Sequence, residues 1–185
     1  MKLKISIGLL IVGLLLFGWV QVYYLPKIDA LAEQKQLEQL EPETHHFSSM
    51  LEYANLYMGN SGNNTNLVNN LPMSDVFRLY EQNPDEFTFR INYDETVEGV
   101  GKERVEKSIL YNATAIFTLI ENMEIVEFSF VDDIYTVTRK RVNEWFDEDV
   151  STFNDELVFE EKVQQPIIKK ERLTEWFDAY IGGGN

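Results

Sequence analysis

Between Ile5 and Leu25 the chain carries 21 residues in which Ser6 and Gln21 are the only clearly polar side chains. As a helix rising ~1.5 Å per residue, such a run matches a hydrocarbon core of ~30 Å. It therefore predicts one transmembrane anchor over 5–25 and decides the compartment of everything after it. Lys2, Lys4 and the α-amino group precede the run, whereas Lys27 and Lys35 are diluted by Asp29, Glu33 and Glu38. Basic flanks stay inside, so residues 1–4 form a cytoplasmic tail and the rest faces outward, at the cell membrane. The alternative is a secreted protein released by cleavage near Ala32, since Ala30-Leu31-Ala32 fits a signal-peptide site. With no cysteine in the chain, neither a disulfide nor a cysteine-linked lipid can form.

Charge narrows the partners. The whole chain carries −15, and setting aside residues 1–32, which hold three lysines and one aspartate, leaves −17. Nucleic-acid binding needs clustered Lys and Arg and is not expected, and anionic headgroups or polymers are repelled for the same reason. With 12 Phe, 9 Tyr and 3 Trp, the acidic part has the means to fold.

The periodicities then divide the chain. Residues 26–46 read as a stalk: a short solvated helix to about Glu41, ended by Pro42, with His45 and His46 as solvated linker residues that lack the further ligands a metal site needs. An α+β domain follows over 47–150. Phe87, Phe89, Ile91 and Tyr93 alternate on one face of a strand that pairs with 77–81 across Asn83-Pro84-Asp85, a helix over 74–82 capped by Ser74 being the alternative for the first run. Val105, Ile109, Ala113, Ile116, Phe117 and Ile120 line one side of a helix between Lys102 and Asn122. A second hairpin is predicted from Ile125–Phe130 and Ile134–Thr138, and Thr138 caps a helix carrying Val142, Trp145 and Phe146. The expected architecture is a four-stranded, mainly antiparallel sheet in ββαββα order packed against helices. Residues 151–185 form a helical extension in which Pro166 breaks one helix, and Leu173, Trp176, Phe177 and Tyr180 build another that stops at Gly182-Gly183-Gly184.

No catalytic constellation is complete. Gly59-Asn60-Ser61-Gly62-Asn63 misses the last glycine of a nucleophile elbow, and both histidines lie upstream of it. Gly101-Lys102 lacks the remainder of a phosphate loop, and Asp147-Glu148-Asp149 has Thr152 where a calcium loop requires glycine. No cofactor and no metal are expected. The candidate binding residues are Gly59, Asn60, Asn63, Asn64 and Asn66, which favour turns and precede a short helix that Asn63, Asn64 or Thr65 would cap. They either shape that turn or offer its amides to a small anion.

Tyr57-Met58-Gly59-Asn60-Ser61, Asn66-Leu67-Val68-Asn69-Asn70-Leu71-Pro72, Phe89-Arg90-Ile91-Asn92-Tyr93 and Tyr111-Asn112-Ala113-Thr114-Ala115-Ile116-Phe117, with Ile120-Glu121-Asn122, resemble the bacterial family called domain of unknown function 4825. The resemblance spans about 47–150, and Asn60 stands where the family usually has Asp. It implies a short, anchored protein of Gram-positive bacteria. Because the same domain occurs on membrane metallopeptidase-type sensors, it also implies an extracytoplasmic sensing or binding role. The expected function is thus a non-catalytic binding, sensing or accessory module with a protein partner in the envelope. A hydrolase using carboxylates and a structural subunit of an envelope complex are the alternatives.

Overall fold

The computed structural model of the chain describes residues 2–177. Two compact units divide at Glu38, Met1–Glu38 and Gln39–Asn185.

The first unit is one helical rod: α1 (Lys2–Trp19), a π-helical turn (Val20–Tyr24) and α2 (Leu25–Glu38). From Gly8 onward it is long and apolar enough to cross a membrane, and none of its most apolar stretch is buried within the protein. An anchor and a signal sequence both answer that description. The boundary expected between anchor and stalk at Leu25 is bridged by helix. Pro26 has no N–H and its ring crowds the carbonyl four residues back. The π turn just before it, in which the Leu25 N–H reaches Val20 O, widens the spiral and lets the helix continue.

The second unit opens with residues 39–46, which correct the stalk reading. They lie against the domain: Met73 N–H donates to Leu40 O at 3.1 Å, and Gln164 Nε2 donates to Pro42 O at 2.7 Å and His45 O at 2.9 Å. Next come a 3₁₀ turn (Phe47–Tyr53) and α3 (Ser61–Asn69). The helix starts before the residues expected to cap it. Asn60 is the N-cap, its Oδ1 accepting from Asn63 N–H at 3.2 Å, so the turn-forming stretch is itself helix.

The sheet is mixed. β1 (Arg78–Asn83) pairs antiparallel with β2 (Thr88–Tyr93), β2 parallel with β3 (Ile125–Ser129), and β3 antiparallel with β4 (Ile134–Thr138), in the order β1-β2-β3-β4. The central pair is parallel because the short α4 (Val97–Val100) and the long α5 (Lys102–Leu119) carry the chain back across before β3 begins. Phe89, Ile91, Tyr93, Val126, Phe128 and Val137 face inward and are buried. Phe87 does not join them. It closes the hairpin in the left-handed region (φ 51°) and stays 44% exposed.

Helix α5 is the centre of the core. All six residues predicted for its apolar face are buried, as are Ser108, Asn112, Thr114 and Thr118 on its other sides. Three of these polar residues donate, Asn112 Nδ2 to Pro72 O, Thr118 Oγ1 to Val150 O and Thr114 Oγ1 back to Leu110 O, while Ser108 Oγ and Asn112 Oδ1 are buried with no hydrogen-bond partner among the described residues. Gly101 begins the helix at φ 102°, which only glycine adopts without strain. Arg139 ends it, donating to Ile120 O at 2.7 Å and Met123 O at 2.8 Å while stacking over Phe117. Thr138 caps α6 (Arg139–Phe146) as predicted, accepting from Arg141 N–H.

The C-terminal stretch is part of this same core. A 3₁₀ turn (Val150–Thr152), α7 (Glu156–Phe159), a π turn (Glu160–Gln164), α8 (Gln165–Ile167) and α9 (Lys170–Trp176) bury Val150, Phe153, Phe159, Val163, Ile167, Leu173 and Trp176. Pro166 does not break the helix it sits in. A π turn again precedes the proline, and the chain leaves the helix only at Lys169. Tyr180 and Gly182-Gly183-Gly184 lie outside the described residues.

Candidate functional site

The asparagine-rich stretch fastens three elements together. Asn63 Nδ2 donates to Tyr53 O at 2.7 Å, and Asn64, buried, donates to Met58 O at 2.6 Å. Gln82 on β1 donates to the same carbonyl at 2.6 Å, and Asn122 Oδ1 accepts from Met58 N–H at 2.6 Å. Asn60, Asn63 and Asn64 are thus brought together as internal partners of the 3₁₀ turn, α3 and β1. Gly59 and Asn66 stand exposed, and Gly59 needs no positive φ.

A different polar residue proves to be buried at the junction. His45 is 1% exposed, against the expectation of a solvated linker, while its neighbour His46 is exposed. His45 Nε2 lies 2.9 Å from Asn70 O and Nδ1 lies 2.7 Å from Tyr111 Oη. A carbonyl only accepts, so Nε2 carries the proton, and the neutral ring then accepts from the Tyr111 hydroxyl at Nδ1. Burial disfavours a charge here and lowers the His45 pKa from 6.5 to about 4. Around it the 41–43 stretch is held by ion pairs: Glu41 with Arg104 at 2.8 Å and Glu43 with Lys107 at 2.6 Å.

The open ground lies on the outer face of the sheet. Strand alternation and register place its side chains in three rows: Leu79, Asn92, Ser129, Ile134; then Glu81, Arg90, Glu127, Thr136; then Asn83, Thr88, Ile125, Thr138. The middle row is bound together: Arg90 Nε donates to Glu127 at 2.6 Å, and Asn92 Nδ2 reaches diagonally to Glu81 at 2.9 Å. The bond and charge of Glu127 raise the Arg90 pKa above its ordinary value. A hollow of about 320 Å³ opens over the middle and lower rows, floored by Thr88, Arg90, Glu127 and Thr136 and rimmed by Glu81 and Glu86. At the other end Phe77, Leu79, Val131 and Ile134 are each more than half exposed. Asp94, Glu95, Asp132 and Asp133 are exposed in the adjoining loops, which are tied to each other by Val131 N–H to Glu95 O and Val97 N–H to Asp132.

Sequence reasoning missed both places for different causes. The outer rows follow from the same alternation that gave the inner face, but the register across strands cannot be read from one strand. His45 sits in a polar stretch that no periodicity marks. Among the described residues no group of three or more His, Asp and Glu is placed to hold a metal ion.

The architecture is that of an α+β domain, a mixed sheet around a central crossover helix with one sheet face exposed, in a chain that also carries a long apolar helix. Residues 50–140 match the family model described as Domain of unknown function (DUF4825), and this part of the chain belongs to that family. The matched segment runs from the 3₁₀ turn to the start of α6 and includes α5 and all four strands. No curated protein and no solved structure matches the chain.

Proposed function

We propose that this chain is a single-pass, membrane-anchored module whose acidic domain stands outside the cytoplasm and acts by binding, as a non-catalytic sensing or accessory subunit for a protein of the envelope. One observation carries the reading: the side chains from Leu9 to Phe17 are apolar and more than half exposed, in a chain whose other unit has a complete core of its own. An apolar rod of that kind needs lipid around it. Binding is favoured over catalysis by how the reactive groups are used. The buried imidazole of His45 is committed at both nitrogens, and Glu127 is committed to Arg90.

Protease applied to intact cells stripped of wall is expected to digest residues 39–185 and leave the apolar helix in the membrane. A protected domain, or a mature chain that begins at Glu33, would overturn the anchored topology. Photo-crosslinkers at exposed domain positions then report whether an envelope protein lies against it in the living cell.

A further inference from the structure

We propose that the exposed face of the sheet docks a basic, extended segment of a partner polypeptide. This rests on the binding-module reading above. The face spans all four strands of the mixed sheet, with the parallel pair β2 and β3 at its centre. Here the inner side is packed, while the outer rows keep Leu79 and Ile134 at 63% and 55% exposure.

Charge selects the occupant. Over the hollow stand the carboxylates of Glu81, Glu86 and Glu127 against the single guanidinium of Arg90, and four further acids flank the apolar end. A second copy of this chain would bring the same sign of charge against itself, and phosphate-bearing surfaces are repelled likewise. Lysine and arginine side chains are attracted. The carboxylates have capacity left: Glu81 and Glu86 each accept from one neutral amide, those of Asn92 and Asn83, and an ionised carboxylate has about four acceptor sites.

Spacing selects an extended chain. Neighbouring rows on one face are two residues apart, about 7 Å, which is also the distance between same-side residues of an extended peptide lying along the strands. Such a peptide can set basic side chains over the Glu81 and Asn83 rows while an aliphatic one meets Leu79 and Ile134. The apolar end then supplies burial and the acidic part supplies selection.

The test uses the full chain in zwitterionic nanodiscs and a labelled octapeptide whose first, third, fifth and seventh residues are Lys, Lys, Val and Val with serine between them, so that both kinds of side chain share one face, with empty nanodiscs as baseline. Saturable binding is expected, weakened at least tenfold by Glu81→Gln with Glu86→Gln and at least threefold by Leu79→Ser with Ile134→Ser. The pair Glu52→Gln with Glu98→Gln removes the same charge elsewhere and is expected to change binding less than twofold. Circular dichroism and unfolding midpoints are compared for every variant, and Thr136→Arg, which adds a positive charge to the floor of the hollow without truncating any core side chain, provides a second loss-of-binding variant. Absence of saturable binding overturns the proposal, as does equal loss in the control pair, which would mean general acidity alone. Spermine displacing the peptide at equal affinity would make the face a simple cation site and overturn the polypeptide occupant. If the sheet-face variants bind as the wild type does while the protease and crosslinking experiments still show an anchored domain against a partner, this site fails and the module reading stands.

Discussion

Helices α1 and α5 are each 18 residues long, and they solve opposite problems. In α1 the apolar side chains from Leu9 to Phe17 point outward on all sides and none is buried by protein. In α5 thirteen residues are buried, and among them are Ser, Asn, Thr and Tyr. An apolar helix with no protein around it asks for a hydrocarbon solvent, which imposes no particular neighbour. A helix buried on every side with polar groups inside must supply each with a partner in a fixed place. That demand makes the core specific. The carbonyls of Pro72 and Val150 and the ring of His45 meet it for Asn112 Nδ2, Thr118 and Tyr111, and Ser108 Oγ and Asn112 Oδ1 are where it goes unmet.

The contrast can be broken at several points, the largest first. Leu14→Asp together with Leu15→Asp should make insertion of α1 less favourable by ~5–7 kcal/mol, at ~2.5–3.5 kcal/mol per charge near a helix centre. The chain should then appear in the soluble fraction after carbonate extraction, with the unfolding midpoint of its domain unchanged. A shifted midpoint would mean that α1 belongs to the fold. Phe117→Ala, at the middle of the core, should cost ~3–5 kcal/mol in denaturant unfolding. A loss under ~1 kcal/mol would remove α5 from its central place.

A pH series sharpens the comparison further. His45 stays neutral when folded, its pKa lowered to about 4, while the unfolded chain takes up its proton near 6.5. The unfolded state therefore binds more protons between those values. Stability from this residue is complete above pH 6.5 and falls as pH drops toward 4, by on the order of 3 kcal/mol. His45→Gln should flatten the wild-type slope over that window, and an unchanged slope would place the titrating group elsewhere. The smallest effects come from matched single changes. Thr118→Val removes one of the two bonds to the Val150 carbonyl, which keeps that from Phe153 N–H, and should cost ~0.5–1.5 kcal/mol, whereas Leu16→Ala in α1 should move the domain's unfolding by less than ~0.5 kcal/mol.

Much of the scaffold was legible because it rests on periodicities. The three- and four-residue spacing from Val105 to Ile120 and the alternation through Phe89, Ile91 and Tyr93 state which side is apolar. The structure buries each of these residues. Thr138 was legible as a cap because a hydroxyl before an apolar-periodic run has one local use. What failed has a common cause. Asn60, Asn63 and Asn64 can each end, start or fasten a turn, and tertiary neighbours such as Tyr53 O and Met58 O decide which. Pro166 reads as a break because single-residue rules omit the π turn that absorbs it. His45 was assigned to solvent because burial of a lone imidazole depends on Tyr111, 66 positions away.

The Gln164 side chain bonded to Pro42 O and His45 O has a consequence for the order in which the chain matures. These contacts join residues 122 and 119 positions apart, and Phe47 stacks on Phe159 at 3.8 Å in the same region. Closing a loop of that length costs on the order of 4 kcal/mol of chain entropy before any contact repays it. Hairpins and helices form early from near neighbours, and Leu40, Glu41, Glu43 and His45 find Met73, Arg104, Lys107 and Tyr111, but Pro42 O, His45 O and the Phe47 ring wait for residues 159–164. The first part of the domain to be synthesised is thus completed only by the last, and during that interval the side of Tyr111 that Phe159 covers stands open to solvent and to other chains.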